Sequence, residues 1–261
     1  MGIDAKAIVK LRELTGAGMN DCQAALAEAE SDQEKAVEIL RKKGTLKADK
    51  IADRATKEGV IALLKEADKV AVVALACETD FVARNQDFIE TVAELGKKLL
   101  SGGEVENFKT WAEDKIKNEL IVKIGENLQL VAADIVFGQV IGSYLHLNKK
   151  IAAVVILSGG RQELANDLAM QIAALAPKYI KPEEIPAEEI DKEKEIYRQQ
   201  LKNEGKPENI LNKIIEGKLQ KYYSEVCLIK QAYIKDDKIT IEKLLAQNGS
   251  PEILSFKRYQ I

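Results

Sequence analysis

An unbroken apolar run followed by a helical stripe marks the centre of the chain. Residues 70–77 are all apolar, which is typical of a buried strand. Four large apolar residues then follow with the spacing of one helical face: Phe88, Val92, Leu95 and Leu99. The pattern predicts a helix over about residues 81–100. The stretch from Thr79 to Asn85 therefore lies at a strand-to-helix turn, where Thr79 or Asp80 can cap the helix.

Phe81, inside this turn, has two interpretations. It lies seven residues before Phe88, so a helix that begins one turn early would bury both rings on the same face. Alternatively, the ring projects from the turn as an anchor for a partner, with Asp80 and Arg84 as its charged rim. The residues alone favour the buried ring.

The first 44 residues predict a three-helix bundle. The first helix is expected to end at Gly16-Ala17-Gly18, where the chain needs the conformational freedom of glycine. Asn20 is the predicted cap of the second helix, and Ser31 to Glu34 form a capping box for the third, which is expected to stop at Gly44. Residues 45–58 show no clear apolar stripe and are predicted to be a solvated helical or extended linker.

A hairpin followed by a helix is repeated in the middle of the chain. The first copy combines residues 59–64 with the run 70–77, and the second combines 142–147, 151–157 and a helix from Gln162 to Ala176. Additional strands are predicted in Leu128–Val131 and Asp134–Val140. Because two strands are too few to be stable alone, the fold class is predicted to be α+β, with a core of two related halves and antiparallel sheets. The halves are residues 59–141, and 142–182 together with 224–261.

Two breaks in the pattern divide the remaining residues. Gly125 is the predicted end of a helix that runs on from residues 115–122. Residues 183–223 predict an inserted antiparallel helical hairpin, coiled-coil-like, with its turn at residues 203–207. After it we expect a short strand at Val226–Ile229, a helix over Thr240–Asn248 and a last strand over Ile253–Tyr259.

Composition narrows the class of protein. The chain has 261 residues, and its 42 acidic and 39 basic side chains argue against a broad phosphate-binding surface, so no direct nucleic-acid partner is predicted. The three cysteines are far apart in sequence, which predicts small apolar residues in a reducing compartment rather than a zinc site or a disulfide framework. No apolar run is long enough to span a bilayer and the start lacks a signal-peptide core, so we expect a cytoplasmic protein with no membrane partner.

Catalytic chemistry is not predicted. The sequence lacks the glycine-rich phosphate-binding motif, and its single histidine, His146, cannot form a triad or a metal site alone. A lone histidine in a strand is expected to be half-buried. The sequence therefore predicts no catalytic residue, no metal site and no cofactor.

The segment Thr79–Asn85 closely resembles the signature of the elongation factor Ts family, the guanine nucleotide exchange factors of elongation factor Tu. Residues 11–19, 123–127 and 142–146 also resemble this family, in its order and spacing. The resemblance implies an exchange factor that acts by protein–protein binding, not an enzyme, and that meets elongation factor Tu in its GDP-bound and nucleotide-free states. It also implies that residues 1–44 form a ubiquitin-associated-like (UBA-like) bundle that docks on the partner's nucleotide-binding domain.

The resemblance further implies which residues bind the partner. In the exchange motif these are Thr79, Asp80, Phe81, Val82, Arg84 and Asn85. Elsewhere they are Arg12, Thr15, Gly16, Gly18, Met19, Ile124, Gly125, Glu126, Asn127 and His146. Phe81 would act as a wedge near the partner's magnesium site, positioned by Asp80, while Thr79, Arg84 and Asn85 hold the turn. For Met19, a core position and a contact position are left open equally.

Two departures and two alternatives accompany this interpretation. The turn after His146 lacks the glycine and arginine that the family pattern suggests, and longer family members continue past the last strand into a helix that grips the partner, so weaker binding is expected here. The alternatives are a UBA-like adaptor without exchange activity and a small-molecule enzyme with a site between the core halves. The sequence leaves open whether the chain forms a homodimer.

Overall fold

The chain divides into two compact units. The fold is taken from a computed structural model, which describes residues 3–204 and 207–261 without the side chains of residues 45–47, 49 and 209. The first unit runs up to Val136 and also takes in Leu145–Ile151 and Tyr259–Ile261. The second unit comprises Phe137–Tyr144 and Ala152–Arg258.

The first unit begins with a helical bundle made of α1 (Ala5–Thr15), α2 (Met19–Glu28) and α3 (Gln33–Ile51) around a common apolar core. Gly16 ends α1 with a φ of 69°, as predicted. Within the predicted capping box, Asp32 is the cap, and its Oδ1 accepts hydrogen bonds from the first turn of α3. The prediction that Asn20 caps α2 is wrong, because Gly18 precedes the helix and Met19 begins it.

The predicted end of α3 at Gly44 is also wrong, since the helix continues to Ile51. A Cβ atom at Gly44 would lie 2.2 Å from Cγ2 of Val122, so this glycine allows close packing rather than ending the helix. Ala48 and Ile51 are buried in the main core of the unit. The predicted solvated linker is therefore helical over its first half and partly buried.

The main core of the first unit is a sheet covered by a helix. Strands β1 (Glu58–Glu66), β2 (Lys69–Cys77) and β3 (Gln129–Phe137) pair in that order. β1 and β2 form an antiparallel hairpin, from the pair Glu58–Cys77 to the pair Glu66–Lys69. The predicted buried run 70–77 is confirmed, and the predicted stripe of Phe88, Val92, Leu95 and Leu99 is buried in the same core.

Between the helix that covers the sheet and β3, the chain forms α6 (Val105–Lys115), a π-helical turn (Ile116–Leu120) and α7 (Ile121–Ile124). Gly125 ends α7 with a φ of 84°, as predicted. The two helices that precede α6 carry the candidate site and are described with it.

The second unit contains the hairpin and the helix that the sequence predicts as the second copy of the repeat. Its elements are β4 (Val140–Leu145), β5 (Ile151–Leu157), α8 (Gln162–Leu175), α9 (Ala187–Asn203), α10 (Glu208–Val226), β6 (Ala232–Tyr233), β7 (Asp236–Thr240), α11 (Ile241–Gln247) and β8 (Ile253–Gln260). The strand order is β4–β5–β8, and β6 pairs with β7. The predicted strand at Val226–Ile229 is wrong, because α10 runs on to Val226 and a 3₁₀ turn over Leu228–Lys230 follows. The mixture of helices and sheets confirms the predicted α+β class.

Helices α9 and α10 form an arm with its own small core. Leu201 is buried with Leu211, Ile215 and Leu219. The predicted turn between the helices includes Gly205 and Lys206, which lie outside the described residues. At the base of the arm, Tyr179 and Tyr222 both donate hydrogen bonds from their hydroxyls to the carboxylate of Glu189. One carboxylate thus joins the start of α9 to the end of α10.

The stability of this arm is expected to depend on pH through Glu189. The hydrogen bonds from Tyr222 and Tyr179 lower the pKa of Glu189. A lowered folded-state pKa means that the stabilisation is complete at neutral pH and is lost as the pH falls below the ordinary glutamate value of about 4.3. We expect Glu189→Gln to lower the melting temperature at pH 7, and expect this difference to shrink at about pH 3.5.

Circular dichroism melts at the two pH values measure the effect of Glu189→Gln. The exposed neighbour Glu188, replaced by glutamine, is the matched control and should change the melting temperature little at either pH. A deficit in Glu189→Gln that stays the same size in acid would contradict the role of the ionised carboxylate.

Candidate protein-interaction site

The stretch from Thr79 to Asn85 forms a short helix between two caps. α4 (Asp80–Arg84) follows β2, and Thr79 is its N-cap, with Oγ1 accepting from the backbone N–H of Val82. Asn85 has an extended backbone, with φ −68° and ψ 129°; it ends α4 and caps α5 (Gln86–Leu100) through its side chain. The single helix predicted over residues 81–100 is therefore two helices with a break at Asn85.

Phe81 projects from this turn into solvent. Its side chain is 84% exposed, so the buried position that the residues alone favoured is wrong. The break at Asn85 explains the outcome, since Phe81 and Phe88 do not share one continuous helical face. The two residues after Phe81 fix the turn to the protein, because Ala83 is buried and Val82 packs against the core.

The charged neighbours of Phe81 pair with each other. Nη2 of Arg84 lies 3.2 Å from Oδ2 of Asp80, one helical turn away, and both side chains are exposed. Exposed pairs of this kind contribute little to stability. Both groups are solvent-exposed in the free chain, and their role as a rim stays a prediction.

Glu126 holds the beginning of the turn. Its Oε2 accepts hydrogen bonds at 3.0 Å from the backbone N–H groups of both Glu78 and Thr79. Its Oε1 accepts a hydrogen bond at 2.5 Å from the Thr79 hydroxyl. Glu126 was predicted as a contact residue, and the structure directs both of its carboxylate oxygens to the turn that carries Phe81.

Asn127, the next residue, is buried, with only 3% of its surface exposed. Its Nδ2 donates to the carbonyl oxygens of Ala52 at 3.0 Å and Arg54 at 2.7 Å. Its backbone N–H donates at 2.7 Å to Oε1 of Glu78, a residue that was not predicted as part of the site. Asn127 therefore ties the chain after α3 to the loop after α7.

A buried thiol lies beneath the same turn. Sγ of Cys77 is 3.3 Å from the carbonyl oxygen of Thr79. Burial, and then the negative charge of Glu126, raise the pKa of the Cys77 thiol to about 12. Cys77 therefore stays protonated at neutral pH. Cys22 and Cys227 are also buried, as expected for cysteines that pack as small apolar residues.

The predicted N-terminal residues surround the loop between α1 and α2. Thr15 braces this loop, with its hydroxyl donating to Leu11 O at 2.7 Å and accepting from the backbone N–H of Ala17. Arg12, in the last turn of α1, is exposed, and Gly18 is the N-cap of α2. Met19 is 45% exposed, which removes the core position from its two alternatives.

A groove connects this loop with the turn that carries Phe81. One cavity of about 430 Å³ is lined by Thr15 and Gly16, and another of about 230 Å³ is lined by Val82 and Asn85. The two cavities share three lining residues: Thr91, Leu120 and Lys123. A Cβ atom at Gly16 would lie 2.8 Å from Cγ of Lys123, which shows how closely the two segments approach. Of the predicted contact residues, Thr15, Gly16 and Ile124 thus line the same pair of cavities as Val82 and Asn85 of the turn.

His146 does not lie in a strand and is not half-buried. It follows β4 directly and is exposed, in the turn that leads to β5, so that prediction is wrong. The next residue, Leu147, is 94% exposed and was not predicted. The backbone N–H of Ile61 donates to the carbonyl oxygen of Lys149 at 2.7 Å, and Leu147 and Arg84 line one cavity of about 400 Å³. The turn that carries His146 therefore lies beside α4.

The described residues lack two other features that would indicate a function, a metal-binding cluster and a membrane-spanning helix. In residues 3–204 and 207–261, no group of three or more histidine, cysteine or acidic side chains could hold a metal ion. In the same part of the chain, no helix combines the length and the apolar character that crossing a membrane requires.

Aromatic residues are enriched at protein interfaces and a polar rim usually surrounds them, so the exposed ring of Phe81 with its charged neighbours is a candidate protein-interaction site. The chain matches the family described as "Elongation factor TS" over residues 78–261, which begin at this turn. It is also 42% identical to the elongation factor Ts of Hydrogenobaculum sp. (strain Y04AAS1), covering 100% of this chain and 99% of that protein. With the elongation factor Ts of Deinococcus deserti it shares 40% identity, over 98% of each chain. The chain belongs to the elongation factor Ts family.

Proposed function

We propose that this chain binds elongation factor Tu and promotes the release of GDP and its exchange for GTP. The observation that carries the proposal is the exposed ring of Phe81 on a turn held from both sides, within the segment that matches the family. Buried aromatic anchors at the centre of an interface commonly supply much of its binding energy. A ring that is exposed in the free chain can become such an anchor when the partner covers it.

Exchange by this route needs binding energy rather than covalent chemistry. A factor that binds the nucleotide-free partner more tightly than the loaded one must, by linkage, weaken nucleotide binding by the same factor. In the proposed mechanism Phe81 enters the partner's nucleotide-binding domain beside its magnesium site, and Asp80 positions the approach. The distorted magnesium and phosphate contacts then release GDP.

Two further regions are proposed to hold other surfaces of the partner. The loop around Gly16 and Met19 and the turn that carries His146 both belong to the first unit, as Phe81 does. The exposed side chain of Met19 suits an adaptable apolar contact. We place the action of the protein in the cytoplasm, where translation elongation takes place and where buried free cysteines stay reduced.

Release of a fluorescent GDP from elongation factor Tu tests the proposal. With excess unlabelled GDP as the trap, the release rate should rise with the concentration of the chain and then saturate. At saturation, the chain should weaken GDP binding by about 5- to 150-fold, the usual range for coupling between two ligands. Release that stays at the intrinsic rate at high concentrations of the chain would contradict exchange activity.

A further inference from the structure

Next to Phe81, two acidic side chains each accept a hydrogen bond from a backbone N–H group of the other's loop. Glu126 accepts from the N–H groups of Glu78 and Thr79, while Glu78 accepts from the N–H group of Asn127. These residues are almost fifty positions apart in sequence, and each carboxylate spans the gap in the opposite direction. Hydrogen bonds to an ionised carboxylate are roughly twice as strong as those between neutral groups. These hydrogen bonds therefore join two loops that are distant in sequence.

The same group of hydrogen bonds also includes the segment immediately after α3. Asn127 holds the carbonyl oxygens of Ala52 and Arg54, immediately after α3, and Nη1 of Arg54 lies 3.5 Å from Oε1 of Glu78. Because α3 belongs to the N-terminal bundle, the end of that bundle and the turn that carries Phe81 share one set of hydrogen bonds.

We propose that Glu126, Glu78 and Asn127 form a clamp that preorganises the Thr79–Asn85 turn, so that Phe81 is presented in its binding geometry before the partner arrives. They are positioning residues, acting through Phe81. The inference rests on the proposed exchange function. A side chain on a loose turn would lose conformational freedom on binding, and the clamp removes this cost in the free protein.

This role makes a distinct kinetic prediction for Glu126→Gln. The amide oxygen can still accept from the two backbone N–H groups and the NH₂ group can donate to the Thr79 hydroxyl oxygen, but the negative charge that strengthens these hydrogen bonds is lost. We expect the concentration of the chain that gives half-maximal GDP release to rise about tenfold, because the turn must then be ordered on binding. The maximal rate should stay within about twofold, since the bound complex restores the same contacts.

Three comparisons make the test specific. Glu106→Gln is the matched control, because Glu106 is a highly exposed side chain on α6 that pairs only locally with Lys109, and it should leave both kinetic values unchanged. Thr79→Val removes both the hydroxyl that donates to Glu126 and the cap of α4, and should raise the half-maximal concentration at least as much as Glu126→Gln, whereas Thr79→Ser keeps the hydroxyl and should have a smaller effect. In a Phe81→Ala background, Glu126→Gln should add less than about a twofold effect, because nothing remains for the clamp to position.

The free protein offers a readout that does not need the partner. In Glu126→Gln, the amide hydrogens of Glu78 and Thr79 should exchange faster, and chymotrypsin should cleave faster after Phe81, while the melting temperature changes little. Two results would overturn the clamp. One is a half-maximal concentration for Glu126→Gln equal to that of Glu106→Gln, and the other is an effect of Glu126→Gln on GDP release that is as large in the Phe81→Ala background as in the parent chain. If Phe81→Ala itself has no effect on GDP release, the proposed role of Phe81 as the wedge is wrong. A failure of the wedge hypothesis can therefore be distinguished from a failure of the clamp hypothesis.

Discussion

Replacing Phe81 by alanine is expected to reduce the efficiency of GDP release from elongation factor Tu by roughly 30-fold or more, which corresponds to the loss of about 2 kcal/mol at an interface hot spot. The loss should arise because the ring, exposed in the free chain, becomes the buried anchor of the complex. Fold stability should change by less than about 0.5 kcal/mol, since so exposed a side chain makes few contacts to lose. The measurement is fluorescent GDP release as a function of the concentration of the chain, together with a melting curve.

The chain contains a matched control for this substitution. Phe137, at the end of β3, is also a strongly exposed phenylalanine, 63% accessible, and lies outside the groove and the turn described above. Phe137→Ala should keep GDP release within about twofold of the parent chain. If the two variants lose the same amount of GDP-release efficiency, the effect is a general one of removing surface aromatic rings. If Phe81→Ala releases GDP as efficiently as the parent chain, another residue must act as the wedge.

The second large effect is expected at Gly142 and concerns stability. Gly142 lies on β4 against the backbone of α8, where a Cβ atom would be 1.9 Å from the carbonyl oxygen of Ala165 and 2.8 Å from Cγ1 of Val155. Backbone cannot move aside as a flexible side chain can, so strand and helix would have to separate. We expect Gly142→Ala to cost about 3 kcal/mol, at the upper end of overpacking effects. Thermal unfolding followed by circular dichroism should show a fall of roughly 6–12 °C in the melting temperature.

The same substitution at Gly217 is expected to have the opposite sign. Gly217 is exposed in the interior of α10, and a Cβ atom there would meet no heavy atom within 4 Å. Gly217→Ala should therefore stabilise the protein by about 0.8 kcal/mol through helix propensity alone. If Gly142→Ala proves as harmless as Gly217→Ala, β4 and α8 are not in the close backbone contact described here.

Much of the fold could be predicted because its signals are local. The run at residues 70–77, the helical stripe from Phe88 to Leu99 and the glycines at 16 and 125 all act over a few neighbouring positions, and the structure confirms each of them. The end of α3 was wrongly predicted at Gly44 because the role of this glycine depends on a contact that is not local in sequence. Its partner, Val122, is far away in sequence, and no local pattern reveals a close approach between distant segments.

In the candidate site, too, the local features could be predicted from the sequence and the contacts between distant segments could not. The sequence by itself determined that Thr79–Asn85 is a turn between a buried strand and an amphipathic helix, since caps and periodicity are properties of adjacent residues. Whether Phe81 is buried depended on how α4 sits on the core, and only the tertiary structure decided it. The same is true of Glu126, because hydrogen bonding to a turn 47 residues earlier requires the folded sheet to bring both loops together. The exposure of a side chain and its long-range hydrogen bonds depend on which segments pack together in the folded protein. Local sequence patterns do not specify this packing.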